Sequence, residues 1–120
     1  MVEVKEGDEI VHGEKTEKAA ADGTITLKGI RVKQGEIFIL KYVAATGNNS
    51  GAGESVAVGY FDGRRNKFLK ETDETGRTDY WLIWTGEVIL IEGQYPVAYF
   101  EAANTGELLE LHYYGIKRKA

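Results

Sequence analysis

The sequence predicts an all-β fold: a single-domain antiparallel β-sandwich or jelly roll spanning residues 1–120, with little or no helix. Three observations predict it. Apolar residues recur with period two rather than 3.6, the alternation of a strand. The recurring runs are rich in Val, Ile, Thr, Tyr, Phe and Trp, the types that fit a pleated surface. Fifteen glycines against a single proline separate those runs at short intervals, the punctuation of a sandwich or barrel.

Taken in order, strands are expected near 2–5, 9–12 and 16–20, with a break at "EGD"; residues 1–20 could form an extended arm. "GEKTEKAAADG" (13–23) is the one stretch that competes as a helix, but beyond three alanines it has no apolar stripe, so an extended or irregular segment is expected. Strands follow near 24–32 and 36–45, divided by "KQG", and after the "GNNSGAG" loop near 55–61 and 66–70. Between the last two, Asp62-Gly63 predicts a hairpin turn, since glycine accepts the positive φ that tight hairpins require. Strands near 79–85 and 87–92 are separated by "TG", and those near 96–102 and 107–114 by "NTG". Pro96 opens its strand, where a missing N–H is tolerated.

Several of these strands are apolar on both faces. In 79–85, Tyr80, Leu82 and Trp84 share one side and Trp81 and Ile83 the other. In 36–45, Ile37, Ile39 and Val43 oppose Phe38, Leu40, Tyr42 and Ala44, and in 96–102, Val97 and Tyr99 oppose Ala98, Phe100 and Ala102. A sandwich strand normally turns one face to water. A Trp or Tyr buries roughly 150–250 Å², so leaving such faces wet exceeds the few hundred Å² of apolar patch that a soluble monomer tolerates. Something is expected to cover them: a symmetry mate, a different protein or a ligand. The anchors expected on that surface are Trp81, Ile83, Trp84, Tyr99 and Phe100. Because Trp81 and Trp84 are three apart they point to opposite faces, and the spacing does not decide which one faces the core.

Composition narrows the chemistry. Nineteen acidic and 15 basic residues give a net charge of −4, which argues against a general nucleic-acid binder. The basic cluster Lys117-Arg118-Lys119 reads as a solvated tail. With no cysteine there is no disulfide, thiolate nucleophile or Cys-ligated zinc. No signal peptide is seen after Met1 and no apolar run approaches the length of a helical membrane span, so no membrane partner is expected.

No catalytic constellation is legible. His12 and His112 are the two histidines, 100 residues apart and without a second histidine nearby, so both read as structural. Ser50 and Ser55 lie outside any G-x-S-x-G elbow. "GNNSGAGES" (47–55) lacks the Gly-Lys-Ser/Thr ending of a phosphate loop. Glu71, Asp73, Glu74 and Asp79 lack the alternating Asp/Asn pattern of a calcium loop and read as solvated. The expectation is no enzyme, no metal and no cofactor.

"GEIFILKYVAATG" (35–47), "ESVAVGYFDGRRNKFL" (54–69) and "TGEVILIEGQYPVAYFEAANTGELLELHYYG" (85–115) share a style of glycine turns followed by an acidic residue and an apolar run. In this the chain resembles small virion structural proteins of phages and archaeal viruses, of the jelly-roll head-decoration or spike type. The resemblance implies a non-enzymatic, homotrimeric subunit located in the virion (otherwise simply soluble), whose partners are copies of itself and a capsid protein. It transfers no functional residue. The alternative is a carbohydrate-binding β-sandwich presenting Trp and Tyr to a glycan. Aliphatic residues interleaved with the aromatics favour a protein partner.

Overall fold

The alternation becomes eight strands in a computed structural model that describes residues 3–47, 55–72 and 81–120. They are β1 (Glu9–Lys18), β2 (Gly23–Lys28), β3 (Glu36–Gly47), β4 (Val56–Phe61), β5 (Asn66–Thr72), β6 (Leu82–Leu90), β7 (Tyr95–Ala103) and β8 (Leu108–Lys119). No helix occurs among the described residues.

All pairings are antiparallel: β1 with β8, β2 with β7, β3 with β6, β4 with β5, and in addition β3 with β8 and β4 with β7. The result is a first sheet ordered β1-β8-β3-β6 and a second ordered β2-β7-β4-β5. This is jelly-roll topology. A long antiparallel ribbon, β1–β4 running out and β5–β8 running back, is rolled so that alternate rungs fall in opposite sheets.

Between the sheets, Phe38, Leu40, Val43 and Leu82 meet Leu27, Val58, Ala98 and Phe100 in one buried cluster. Each fully buried Leu or Phe side chain contributes about 1.5–3 kcal/mol relative to exposure. At the hairpin between β4 and β5, Gly63 has φ 104. Asp62 Oδ1 there accepts hydrogen bonds from the backbone N–H of Arg64 (2.8 Å) and Arg65 (2.9 Å). Those two N–H groups hold the Asp62 carboxyl below its usual range.

Two glycines expected to end strands lie inside them. Gly13 sits within β1 directly opposite Tyr113, whose ring occupies the space a Cβ at position 13 would need. The Tyr113 hydroxyl then accepts a hydrogen bond from the Ile30 N–H at 2.9 Å, tying β8 to the segment after β2. Gly86 lies within β6 beneath the indole of Trp84. The expected strands 9–12 and 16–20 are therefore one, as are 79–85 and 87–92.

The two ends of the described chain are held together. Residues 3–5 are not a strand. Arg118 donates to both Asp8 carboxylate oxygens, at 2.9 and 2.7 Å, and to the Glu3 carbonyl at 2.9 Å. Residues 9–18, which could have been an arm, are an edge strand paired with β8 along their length. The basic cluster read as a solvated tail is the end of β8, with Lys117 bridging Glu9 (2.8 Å) and Glu36 (3.6 Å). The "GNNSGAG" loop after Gly47, the acidic stretch from Asp73 to Asp79, and Tyr80 lie outside the described residues.

Candidate functional site

The outward side of the first sheet carries an apolar and aromatic surface laid down in cross-strand rows. Phe38 and Leu40 point into the core, so Ile39 between them points out. Register aligns Ile10 of β1, Ile116 of β8, Ile39 of β3 and Ile89 of β6 across all four strands. The two central isoleucines are shielded by their neighbours, while Ile10 and Ile89 are 61% and 53% exposed. Such β-branched cross-strand contacts stabilise the sheet.

The next row is His12, Tyr114, Tyr42 and Thr85. Tyr114 lies between two rings, with centroids 5.3 Å from both His12 and Tyr42. The third row is Glu14, His112, Ala44 and Ile83. Trp81, immediately before β6, closes it edge-on to His112 at 5.1 Å. Tyr114 lines two shallow depressions. One, of about 560 Å³, is walled by His12, Tyr42, Trp81, Ile83 and His112. The other, of about 730 Å³, is walled by Val4, Ile10 and Ile116, with the Lys41–Glu87 ion pair (2.6 Å) on its rim.

The bulge between Leu40 and Tyr42 makes this face possible. It changes the parity of β3, so that Leu40 and Val43 both reach the core while Ile39 and Tyr42 both point outward.

The five residues expected to anchor a contact surface do not share one face. Trp81 and Ile83 lie on the outer face of the first sheet, 39% and 41% exposed. Trp84 points the other way and packs, half-buried, against the core. Tyr99 lies on the outer face of the second sheet beside Phe68, with centroids 5.3 Å apart. Phe100 is fully buried between the sheets and reaches no outer surface, because it shares the parity of Ala98 on β7.

The second sheet's outer face is better covered. Tyr95 stacks on Phe61 at 4.9 Å and is capped by Lys28 and Arg31, 5.9 and 5.2 Å from its centroid. Sequence reasoning did not single out Ile10, Tyr42, Ile89 or Tyr114. The available signal was period two in "EIVHG" and "VILIEG", where Ile10 and Ile89 alternate with residues that point inward.

Titratable groups gather where the register brings them. Glu14 is directly opposite His112, and Glu110 is two residues away on the same face. Glu110 Oε1 and His112 Nε2 are 3.2 Å apart. Near the sheet's end, the hydrogen bonds from Arg118 and from the Lys5 N–H hold the Asp8 carboxyl at about 2. The same contact raises the Arg118 guanidinium above its ordinary value.

No protein-family model and no curated protein sequence matches the chain. Among solved structures it is similar to a chain of the acidic stable capsid structure of Helicobacter pylori bacteriophage KHP30, with TM-score 0.57 and 14% identity over 94% of this chain and 99% of that chain. A structure of infectious bursal disease virus, Gx strain, gives TM-score 0.47 and 6% identity over 96% of this chain and 33% of that chain. TmCBM61 in complex with β-1,4-galactotriose gives TM-score 0.38 and 13% identity over 96% of this chain and 90% of that chain. At 14% identity the likeness to the phage capsid chain is one of fold.

Proposed function

We propose that this protein is a non-enzymatic structural subunit of a virion that works by self-assembly, and that the outer face of the first sheet is its contact surface. The observation that carries this reading is the exposure of Ile10, Ile89, Ile83, Trp81 and Tyr114 together on that one face, flanking the shielded Ile39 and Ile116. Water gains nothing from such a face, whereas apolar side chains of a partner do, at roughly 25 cal/mol per Å² buried. Aromatic anchors among aliphatic residues, with an ion pair at the rim, are the anatomy of a protein–protein contact. The end-to-end fold likeness to a phage capsid chain supports a place in a virion shell. A homotrimer with decoration or spike placement is the specific form proposed: a closed ring in which this face meets a different surface of the next subunit leaves no open end.

The rival occupant is a glycan, favoured by the depression that Tyr42, Trp81 and two histidines wall. One experiment separates the two. Sedimentation velocity of the purified chain should give a trimer, and Ile83→Asp should give a monomer with an unchanged far-ultraviolet spectrum. An unaltered chain that stays monomeric at tens of micromolar overturns the assembly reading. Retention of that monomer on a polysaccharide column would replace it with glycan binding.

A further inference from the structure

Glu14, Glu110 and His112 each present one ligand atom on the outer face of the first sheet, and these three atoms lie within 4.8 Å of one another. We propose that the three side chains form a binding site for a divalent transition-metal cation, with zinc as the reference ion.

The backbone sets the placement. Glu14 and His112 are direct cross-strand partners on β1 and β8, and residues two apart on a strand share a face, which adds Glu110. Residues nearly a hundred positions apart in the chain are thereby held on two hydrogen-bonded strands, a firmer base than a loop. Two donors each about 2.0–2.1 Å from a tetrahedral zinc ion are roughly 3.3 Å from each other. Glu110 Oε1 and His112 Nε2, hydrogen-bonded to each other, are 3.2 Å apart, so an ion replacing the shared proton finds both donors near that spacing. Glu14 is exposed, so its side chain can turn its carboxylate toward the other two.

Charge favours the same occupant. The register brings two carboxylates together, and like charges at neighbouring positions of a strand pair repel. Among the described residues no lysine or arginine forms an ion pair with Glu14 or Glu110. A dication in their midst removes the repulsion. The imidazole chooses the class: calcium and magnesium prefer oxygen alone, whereas a nitrogen beside two carboxylate oxygens suits zinc, nickel or copper. Support around the ligands is also present. Trp81 lies edge-on to the His112 ring, restricting its orientation, and the Thr16 hydroxyl donates to Glu14 Oε1 at 3.5 Å. Three protein ligands leave one coordination position for a further donor such as water. All three ligands come from one copy of the chain, but they stand in the row that ends at Ile83, so the site lies within the face proposed for assembly and the titration is read beside the oligomeric state.

The test is calorimetric titration of zinc chloride into tag-free, chelator-stripped protein, with nickel titration followed by tryptophan fluorescence. Zinc should saturate at one equivalent per chain. His112→Ala and Glu14→Gln should each weaken it by at least the roughly 10–100-fold that loss of a supporting partner costs. Glu101→Gln, at an exposed position of β7 in the second sheet, should leave it unchanged. Nickel should quench the fluorescence of the unaltered chain, and Trp81→Phe should abolish the quenching while retaining zinc. Circular dichroism verifies that each variant is folded. Absence of saturable zinc binding, or equal affinity in the unaltered and His112→Ala chains, overturns the proposal.

Discussion

Trp81 meets His112 edge to ring, 5.1 Å between centroids and 74° between planes, on the side of the sheet that Trp84, three residues later, turns away from. The two indoles therefore do different work. Trp84→Ala opens a hole beside the core and should cost about 2–4 kcal/mol of unfolding free energy, somewhat less than a fully buried aromatic. Phe100→Ala should cost about 3–5 kcal/mol. Trp81→Ala should stay within about 1 kcal/mol when measured on dissociated protein. Urea denaturation of the three variants checks the order, and a Trp81→Ala cost equal to that of Trp84→Ala would contradict the assignment of faces.

Gly13 is a platform for a ring rather than a turn. A methyl group there falls inside the Tyr113 ring, so the tyrosine must swing away and give up its hydrogen bond from Ile30. Gly13→Ala should destabilise by about 1–3 kcal/mol, the usual cost of overpacking. In the Tyr113→Leu background the same change should cost less than in the unaltered chain, a coupling that a double-mutant cycle reads directly.

The Asp8–Arg118 pair makes stability depend on acid. The folded Asp8 carboxyl is held at about 2 against an ordinary 3.8, first by the Arg118 hydrogen bonds and then by the Lys5 N–H. A folded-state value below the unfolded one means that the unfolded chain binds the proton first as pH falls. The contribution is complete above about pH 4 and is lost progressively down to about pH 2. Asp8→Asn should therefore be less stable than the unaltered chain at pH 6, and the gap should narrow across that window. Urea midpoints from pH 6 to pH 2 measure it, and a constant gap would rule out the pair as its source.

Ala102 has φ 58, where two residues of β7 face one of β2 at a bulge. A Cβ in that region costs about 1–2 kcal/mol, and replacing it with glycine forfeits about 0.5–1 kcal/mol of chain entropy. Ala102→Gly should thus stabilise by up to about 1 kcal/mol, and Ala102→Val should destabilise. Thermal melts of the pair, with opposite signs, are the check.

Much of the architecture was legible because strand formation is a local matter. Period two, β-branched composition and glycine punctuation announced an all-β sandwich or jelly roll, and Asp62-Gly63 announced its hairpin correctly. Glycine was also where the reading failed. A glycine that turns the chain and a glycine that makes room for a ring look alike in one dimension; Gly13 and Gly86 read as strand ends, and only the positions of Tyr113 and Trp84 distinguish them.

The candidate site was less legible. That two-faced strands need a cover could be read from the alternation of Trp81, Leu82, Ile83 and Trp84, but which face lay outward could not. Parity is defined relative to a partner strand, and the bulge after Leu40 resets it on β3. Phe100 looked like Tyr99 in sequence and differs from it by one peptide, which on a pleated strand is the difference between core and surface. The isoleucine row and the Glu14–Glu110–His112 cluster depend on the pairing of β1 with β8, strands at opposite ends of the chain. Local residue preferences determined that there would be strands and that some would be apolar on both sides. The long-range register of the rolled ribbon decided which side chains stand together, because neighbours across a sheet are fixed by backbone hydrogen bonds between segments that sequence order keeps far apart.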